Sequence, residues 1–227
     1  MQELSGSRLI VALDPKEKTS LGSFLSVIPR LCEEVYGLKI GLPFLVLYGI
    51  HGLSLVRNRC KARLIADFKL ADVAHVMIRS IEPIAELVDV VIAHSFVGAR
   101  GALQELKEFL DARGIDLALV ISMSHLGSEE VIDESFGRIV SVAERLRPWG
   151  AVAPATRPHM IKLVKSRLPA VKILSPGVGL QGARPGDALK AGSDYEIVGR
   201  LIWESADPLE TVRLINLEHK KVLGESY

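Results

Sequence analysis

"RLIADFKLADVAHV" (63–76) decides how the chain reads: an apolar strand that closes on three charges and then turns into a helix. Residues 63–69 have the aliphatic content of a strand buried on both faces, as in a parallel sheet. Asp67 and Lys69 are two apart, so on a regular strand they point to the same side. Asp72 lies three further on, in the turn or the first helical turn, where a negative charge also suits a helix N-terminus. By itself the trio could be a salt bridge with an N-cap.

The same strand-then-helix pattern repeats on both sides of this stretch. Strand-like runs are "RLIVALD" (8–14), "GLKIG" (37–41), "VDVVIAH" (88–94), "DLALVISMS" (116–124), "GAVAPA" (150–155), "VKILSPG" (171–177) and "DYEIVGR" (194–200). Segments of helical periodicity separate them. "GALQELKEFLDARG" (101–114) ends in a Gly suited to a C-cap, and "DPLETVRLINLEHKKV" (207–222) opens with Asp then Pro, an N-cap and first-turn pair. Eight βα units with no linker or composition break predict the α/β class and one (β/α)₈ TIM barrel over residues 1–227. An open doubly wound sheet is the alternative. Its usual Gly-rich turn after strand 1 is missing, since "LDPKEK" (13–18) follows instead.

Composition narrows the function. The 227 residues are 48% hydrophobic and 24% charged, a globular balance with enough apolar content for one core. Lys plus Arg number 28 against 27 acids, so no nucleic-acid groove or acidic membrane surface is expected. The "HKK" run (219–221) reads as a complement to the dipole of a last helix. "MQELSGSRLIVALD" lacks a basic segment followed by an apolar one, and no run is long enough to span a membrane, so the expected location is cytoplasmic. Cys32 and Cys60 form no CxxC or Cys/His pattern and read as buried or idle thiols of a reducing compartment.

Polar residues gather at the C-terminal strand ends: Asp14, Lys39, Asp67, Lys69, His94, Ser124, Thr156, Ser175 and Arg200. In such a barrel that rim builds the active site. Two lysines and two aspartates in a confined space hold one another ionised. The array is costly for folding unless it is used, because buried ion pairs often fail to recover their desolvation. Its natural use is a reaction that develops negative charge and needs a proton. Lys69 would stabilise a carbanion and protonate it, and Asp67 would crowd an anionic group about to leave. One such pair, at roughly 4 Å and an effective dielectric near 20, is worth about 4 kcal/mol, or around a thousandfold in rate. "SPGVGLQGARPGD" (175–187) and "IVGR" (197–200) are glycine-rich ends of strands 7 and 8, where these barrels bind a phosphate. Gln181 and Arg200 would add side-chain donors.

These motifs resemble the orotidine 5′-monophosphate decarboxylase family, most closely its compact archaeal form. "DFKLADV" is similar to the family's DxKxxD motif, and "VALD", "LKIG", "SMSHLG", "ATRP", "SPGVGLQG" and "IVGR" follow in the family's order over nearly the whole chain. The resemblance implies decarboxylation of orotidine 5′-monophosphate to UMP and CO₂ without metal, flavin or nicotinamide. It implies Lys69 as proton donor, Asp67 beside the departing CO₂, and Lys39 and Asp72 completing the charge network. Asp72 would enter the partner's site in a homodimer. Asp14 and Lys39 would contact the ribose, Ser124 would read the pyrimidine edge, and Gln181, Gly199 and Arg200 would hold the phosphate.

Three departures stand out. Val76 replaces a threonine that would help hold the ribose across the dimer, Leu126 stands in "HLG" where the family has "HPG", and Ala183-Arg184 make the phosphate loop more basic. The Mg²⁺-dependent sugar-phosphate decarboxylases and aldolases share DxKxxD but carry a metal-binding glutamate where this chain has Lys39. A silent nucleotide-binding barrel is the other alternative. His94 and His125 read as hydrogen-bonded rim residues, and His51, His75, His159 and His219 as solvent-facing helix positions. Trp149 and Trp203 read as packing residues, and "GSEEVIDE" (127–134) as an acidic helix start.

Overall fold

Eight parallel strands pair in sequence order, and the last pairs with the first, closing a barrel. The computed structural model describes residues 6–14 and 20–225. "MQELS" and most of "LDPKEK" lie outside them. The strands are β1 (Leu9–Leu13), β2 (Gly37–Gly41), β3 (Arg63–Leu70), β4 (Val90–His94), β5 (Asp116–Val120), β6 (Gly150–Val152), β7 (Lys172–Pro176) and β8 (Tyr195–Val198). Several are shorter than their apolar runs, because the pairing ends where the chain turns out to form the rim.

The helices are α1 (Leu21–Glu34), α2 (Leu42–Arg57), α3 (Ala74–Ile81), α4 (Gln104–Asp111), α5 (Phe136–Leu146), α6 (Pro158–Arg167), α7 (Asp187–Lys190), α8 (Arg200–Trp203) and α9 (Pro208–Leu223). Asp207 caps α9 as its sequence suggests, its Oδ1 accepting from the N–H groups of Leu209 and Glu210. α4 starts later than its periodicity implies, because Arg100 and Gly101 leave helical geometry. The "GSEEVIDE" acids make a widened turn at Glu129–Asp133 instead of opening α5.

Strand alternation explains the continuous apolar runs. Ile10 and Ala12 of β1 face the barrel interior with Ile65, Ile92, Val120 and Leu174, while Leu9, Val11 and Leu13 face the helices. The N-terminal end of the barrel is plugged by aromatics: Tyr36 stacks on Tyr195 at 3.9 Å, and Trp149 lies 6.2 Å from the same ring. Burial, then the hydrogen bond with Tyr36, push the Tyr195 phenol up. Trp203 packs edge-on to Phe24 and donates its indole N–H to the Ala12 carbonyl, so both tryptophans do pack.

Two expectations are corrected. Cys32 and Cys60 are joined in a disulfide that ties α1 to the segment before β3. No local motif marks the pair, since 28 residues separate them and only the fold brings them together. His219 is buried, 2% exposed, on the inner face of α9, where its Nε2 lies 2.8 Å from the fully buried Glu196 carboxylate of β8. His51, His75 and His159 are exposed, as read. Among the described residues, no helix is long and apolar enough to cross a membrane.

Candidate active site

A cavity of about 240 Å³ opens at the C-terminal end of the barrel. Its floor is apolar, from Ile92, Val120, Val152 and Ile197, and its walls carry Asp14, Lys39, Asp67, Lys69, Ser124, Gln181, Gly199 and Arg200. These are all but one of the expected site residues. Asp72 is the exception. It is exposed beyond the end of β3, its Oδ1 accepting from the Val73 N–H at 2.7 Å.

Four charges alternate across the cavity. Lys39 Nζ is 3.4 Å from Asp14 Oδ1 and 3.3 Å from Asp67 Oδ2, and Lys69 Nζ donates to both Asp67 oxygens at 2.9 Å. The Lys39 and Asp67 side chains are 10% and 9% exposed, whereas Asp14 and Lys69 keep contact with solvent. Burial alone would push the Asp67 carboxyl up, but the Lys39 and Lys69 ammonium groups outweigh it and hold it below its usual range. Burial likewise opposes the Lys39 charge, and Asp67 and Asp14 reverse the effect and raise its pKa. Both directions agree: the buried pair stays ionised.

Asp67 and Lys69 meet by a less regular route than strand alternation. Between the paired residues Ala66↔Val91 and Leu70↔Ala93, four steps along β3 face two along β4, a bulge that contains both charges. Within it Lys69 takes a left-handed conformation, φ 46°, which is rare and strained for a residue with a side chain. The bulge turns the ammonium back onto the carboxylate.

The rest of the polar rim divides. Ser175 turns away and hydrogen-bonds Ser193 at 2.9 Å. Thr156 and His94 lie outside the cavity wall, and burial, then the Lys69 charge, push the His94 imidazole pKa down. Ser124 Oγ donates to Gln181 Oε1 at 3.2 Å, joining the loops after β5 and β7. Arg157, in the "ATRP" motif but not picked out from it, holds the first of these loops. It pairs with Asp133 and donates to Ser122 Oγ and the Met123 carbonyl, both at 3.3 Å. Gly179 needs its glycine, because at φ 88° a Cβ would sit 2.8 Å from Leu201. Arg200 opens the short α8, exposed and with no ion pair among the described residues. A phosphate there would meet its fork and the first N–H groups of α8.

Among the described residues, no group of three or more His, Cys, Asp or Glu is arranged to hold a metal ion. The ammonium of Lys39 occupies the place between Asp14 and Asp67 that a cation would need.

Comparisons with known proteins agree with this geometry. Residues 7–215 match the family model described as "Orotidine 5'-phosphate decarboxylase / HUMPS family". The orotidine 5′-phosphate decarboxylase of Aeropyrum pernix is 46% identical over 209 residues, covering 91% of this chain and 86% of that protein. The protein of the same name from Sulfurisphaera tokodaii is 40% identical, over 87% and 92%. The crystal structure of orotidine 5′-monophosphate decarboxylase from Sulfolobus solfataricus superposes with a TM-score of 0.87 at 35% identity, covering 96% and 99% of the two chains. The Methanocaldococcus jannaschii enzyme complexed with the inhibitor BMP gives 0.85 at 26% identity, covering 96% and 98%.

Proposed function

The chain belongs to the orotidine 5′-phosphate decarboxylase family, and from that premise we propose how its residues divide the work. The reaction is decarboxylation of orotidine 5′-monophosphate to UMP and CO₂ in pyrimidine biosynthesis. Lys69 is the proton donor. As the bond between C6 and the carboxylate breaks, its electron pair stays on C6, and the Lys69 ammonium stabilises that charge and then delivers a proton to it. Asp67 lies beside the departing carboxylate and favours its conversion to neutral CO₂. The observation that carries this reading is the alternating Asp14–Lys39–Asp67–Lys69 chain in a half-apolar cavity. Asp14 and Lys39 hold the ribose hydroxyls, Ser124 reads the pyrimidine edge, and Gln181, Gly199 and Arg200 grip the phosphate. The phosphate is a remote handle whose binding energy can be realised at the reacting carbon. The chemistry needs no metal, flavin or nicotinamide, so turnover persists undiminished in excess EDTA. Loss on chelation with recovery on adding Mg²⁺ would instead favour the sugar-phosphate chemistry.

A second copy of the chain completes each site. Asp72 stands outside its own cavity, beside an exposed apolar face made by Leu42, Val46, Leu47 and Ile50 of α2 with Val73, Val76 and Phe96. A single exposed apolar side chain is ordinary, but seven on α2 and the chain segments after β3 and β4 suit an interaction face. Paired about a two-fold axis, this face brings Asp72 to the partner's rim. We place the single catalytic domain in the cytoplasm with its pathway. The disulfide does not oppose this, since Cys32 and Cys60 are both buried and shielded from exchange with soluble thiols.

Two inactive variants test the roles together. Lys69→Ala and Asp72→Asn chains are unfolded as a mixture and refolded. With shared sites, one site of a mixed dimer collects both lesions and the other neither, so about a quarter of all sites regain wild-type composition. Recovery near that fraction supports both the dimer and the role of Asp72. A mixture that stays inactive, with mixed dimers confirmed by mass spectrometry, refutes the shared site.

A further inference from the structure

A second cavity lies at the other end of the barrel. It holds about 420 Å³ between the chain entering β1 and the last turns of α9, and it is lined by Ser7, Arg8, Asn216, His219, Lys220 and Leu223, with Glu34, Arg213 and Glu225 at its edges. That volume is within the range of small-molecule sites.

Its polar groups are incompletely used. The His219 ring is 2% exposed, and its Nε2 faces Glu196, whose carboxylate also accepts from the Gly186 and Ala188 N–H groups. A carboxylate engaged in this way only accepts, so Nε2 carries the proton and Nδ1 is left as an acceptor. Nδ1 is buried with no hydrogen-bond partner, and so is Arg8 Nε. Lys220 has no ion pair among the described residues, whereas Arg213 is committed to Glu34 at 2.8 Å. Ser7 and Asn216 bond each other at 2.8 Å. With Glu34 matched by Arg213, the described lining holds two cations without an ion pair among the described residues, Arg8 and Lys220, and one further carboxylate, Glu225. Buried polar atoms are rarely left unpaired; two cations lining one cavity ask for an oxyanion, and the imidazole acceptor asks for a donor.

We propose that this cavity binds a phosphate group, free or as a small organic monoester, at a site separate from the decarboxylase centre. Phosphate oxygens accept from Arg8 and Lys220. A P–OH suits the His219 Nδ1, an acceptor that has no partner and is closed to solvent until the ring or its neighbours shift. The apolar side chains of Leu217 and Leu223 would cover the organic part of an ester. Glu196 ties His219 to Gly186, the last residue before α7, so the occupied site lies one buried carboxylate away from the loop after β7.

The test uses the full chain and a local reporter. Inorganic phosphate titrated into the protein should shift the His219 ring ¹⁵N resonances saturably, in contrast to potassium chloride at matched ionic strength. Lys220→Ala, an exposed substitution that leaves the fold intact, should weaken this response about tenfold, the scale of one charge-assisted contact. Arg200→Ala should leave it unchanged, which separates the site from phosphate binding at the active centre. Glycerol 3-phosphate binding more tightly than phosphate assigns a monoester, and equal binding assigns the free ion. Resonances unmoved at about 50 mM phosphate, well above the range of a weak specific site, overturn the proposal. So does a response equal to that of chloride, or one that Lys220→Ala leaves intact.

Discussion

The two ends of the barrel use charge in opposite ways. Around the N-terminal rim near β3, β4 and β7, carboxylates are matched and also tied to backbone. Asp89 pairs with Arg57 at 2.6 Å and accepts the Leu64 N–H, while Asp194 pairs with Lys165 and Lys172 and accepts the Ile173 N–H. Arg63 pairs with Asp116 and lies over the Trp149 ring at 4.8 Å. At the C-terminal rim, one buried carboxylate is shared by two ammonium groups, the chain carrying one of them is strained, and Arg200 has no carboxylate partner among the described residues. Beside β3, β4 and β7 the charges hold strands together. At the C-terminal rim they are concentrated in one buried chain around a cavity, at a cost in stability that a functional site can carry.

Lys69→Ala should separate the ends most sharply. Turnover of orotidine monophosphate should fall by at least a thousandfold, the rate equivalent of about 4 kcal/mol, while the melting temperature changes little, because Ala inherits the strain at φ 46° and Asp67 keeps Lys39 as its partner. A variant that melts early yet turns over would reverse the assignment of the two ends.

Reduction of the Cys32–Cys60 disulfide, or Cys32→Ser with Cys60→Ser, should cost about 3–4 kcal/mol from loop entropy without changing kcat. Denaturant unfolding with and without reductant measures it. A matching loss of turnover in the folded, reduced protein would show that the staple shapes the site through β2.

Asp194→Ala should cost about 2–3 kcal/mol, again with kcat intact, because two lysines and a strand N–H lose their acceptor. The pH dependence has a definite sign. Burial alone would raise the Asp194 carboxyl, but the Ile173 N–H and the two lysines hold it below its usual value. Its stabilisation is therefore complete above the ordinary carboxylate range, near pH 4, and fades as pH falls through the lowered folded value. The wild type should lose stability over that acid window, and Asp194→Ala should lose less. Parallel acid limbs for the two proteins would show that Asp194 contributes nothing there.

The smallest effect belongs to Val76→Thr. A threonine here should tighten ribose binding by no more than about 1 kcal/mol, one neutral hydrogen bond, read as a change in KM. Lost activity would show that Val76 packs in the dimer face.

Much of this was legible because parallel barrels write their topology in simple terms. Apolar runs buried on both faces gave the strands, and charges breaking those runs marked the rim. "GLKIG" matched β2 residue for residue, and Asp207-Pro208 marked the start of α9. What escaped depended on groups distant in sequence. Cys32 meets Cys60 only because α1 and the start of β3 are neighbours. His219 looks solvent-facing in a run with two lysines, and is buried because α9 turns that position onto Glu196. Ser175 sits at a strand end like Asp67, but an odd–even choice turned it outward to Ser193. The bulge holding Lys69 has no glycine to announce it; only register counting across β3 and β4 reveals it.

The Cys32–Cys60 bond also sets how the chain answers to force. It makes a covalent ring of the residues from 32 to 60, which contains all of β2 with Lys39 and all of α2. A molecule pulled by its two ends therefore cannot pay out that ring, and some 28 residues, about 100 Å of extended chain, stay hidden from the tether. When every other strand has been peeled from the barrel, Lys39 and α2 still travel as one knot of chain. Adding reductant under load should release the missing length in a single step.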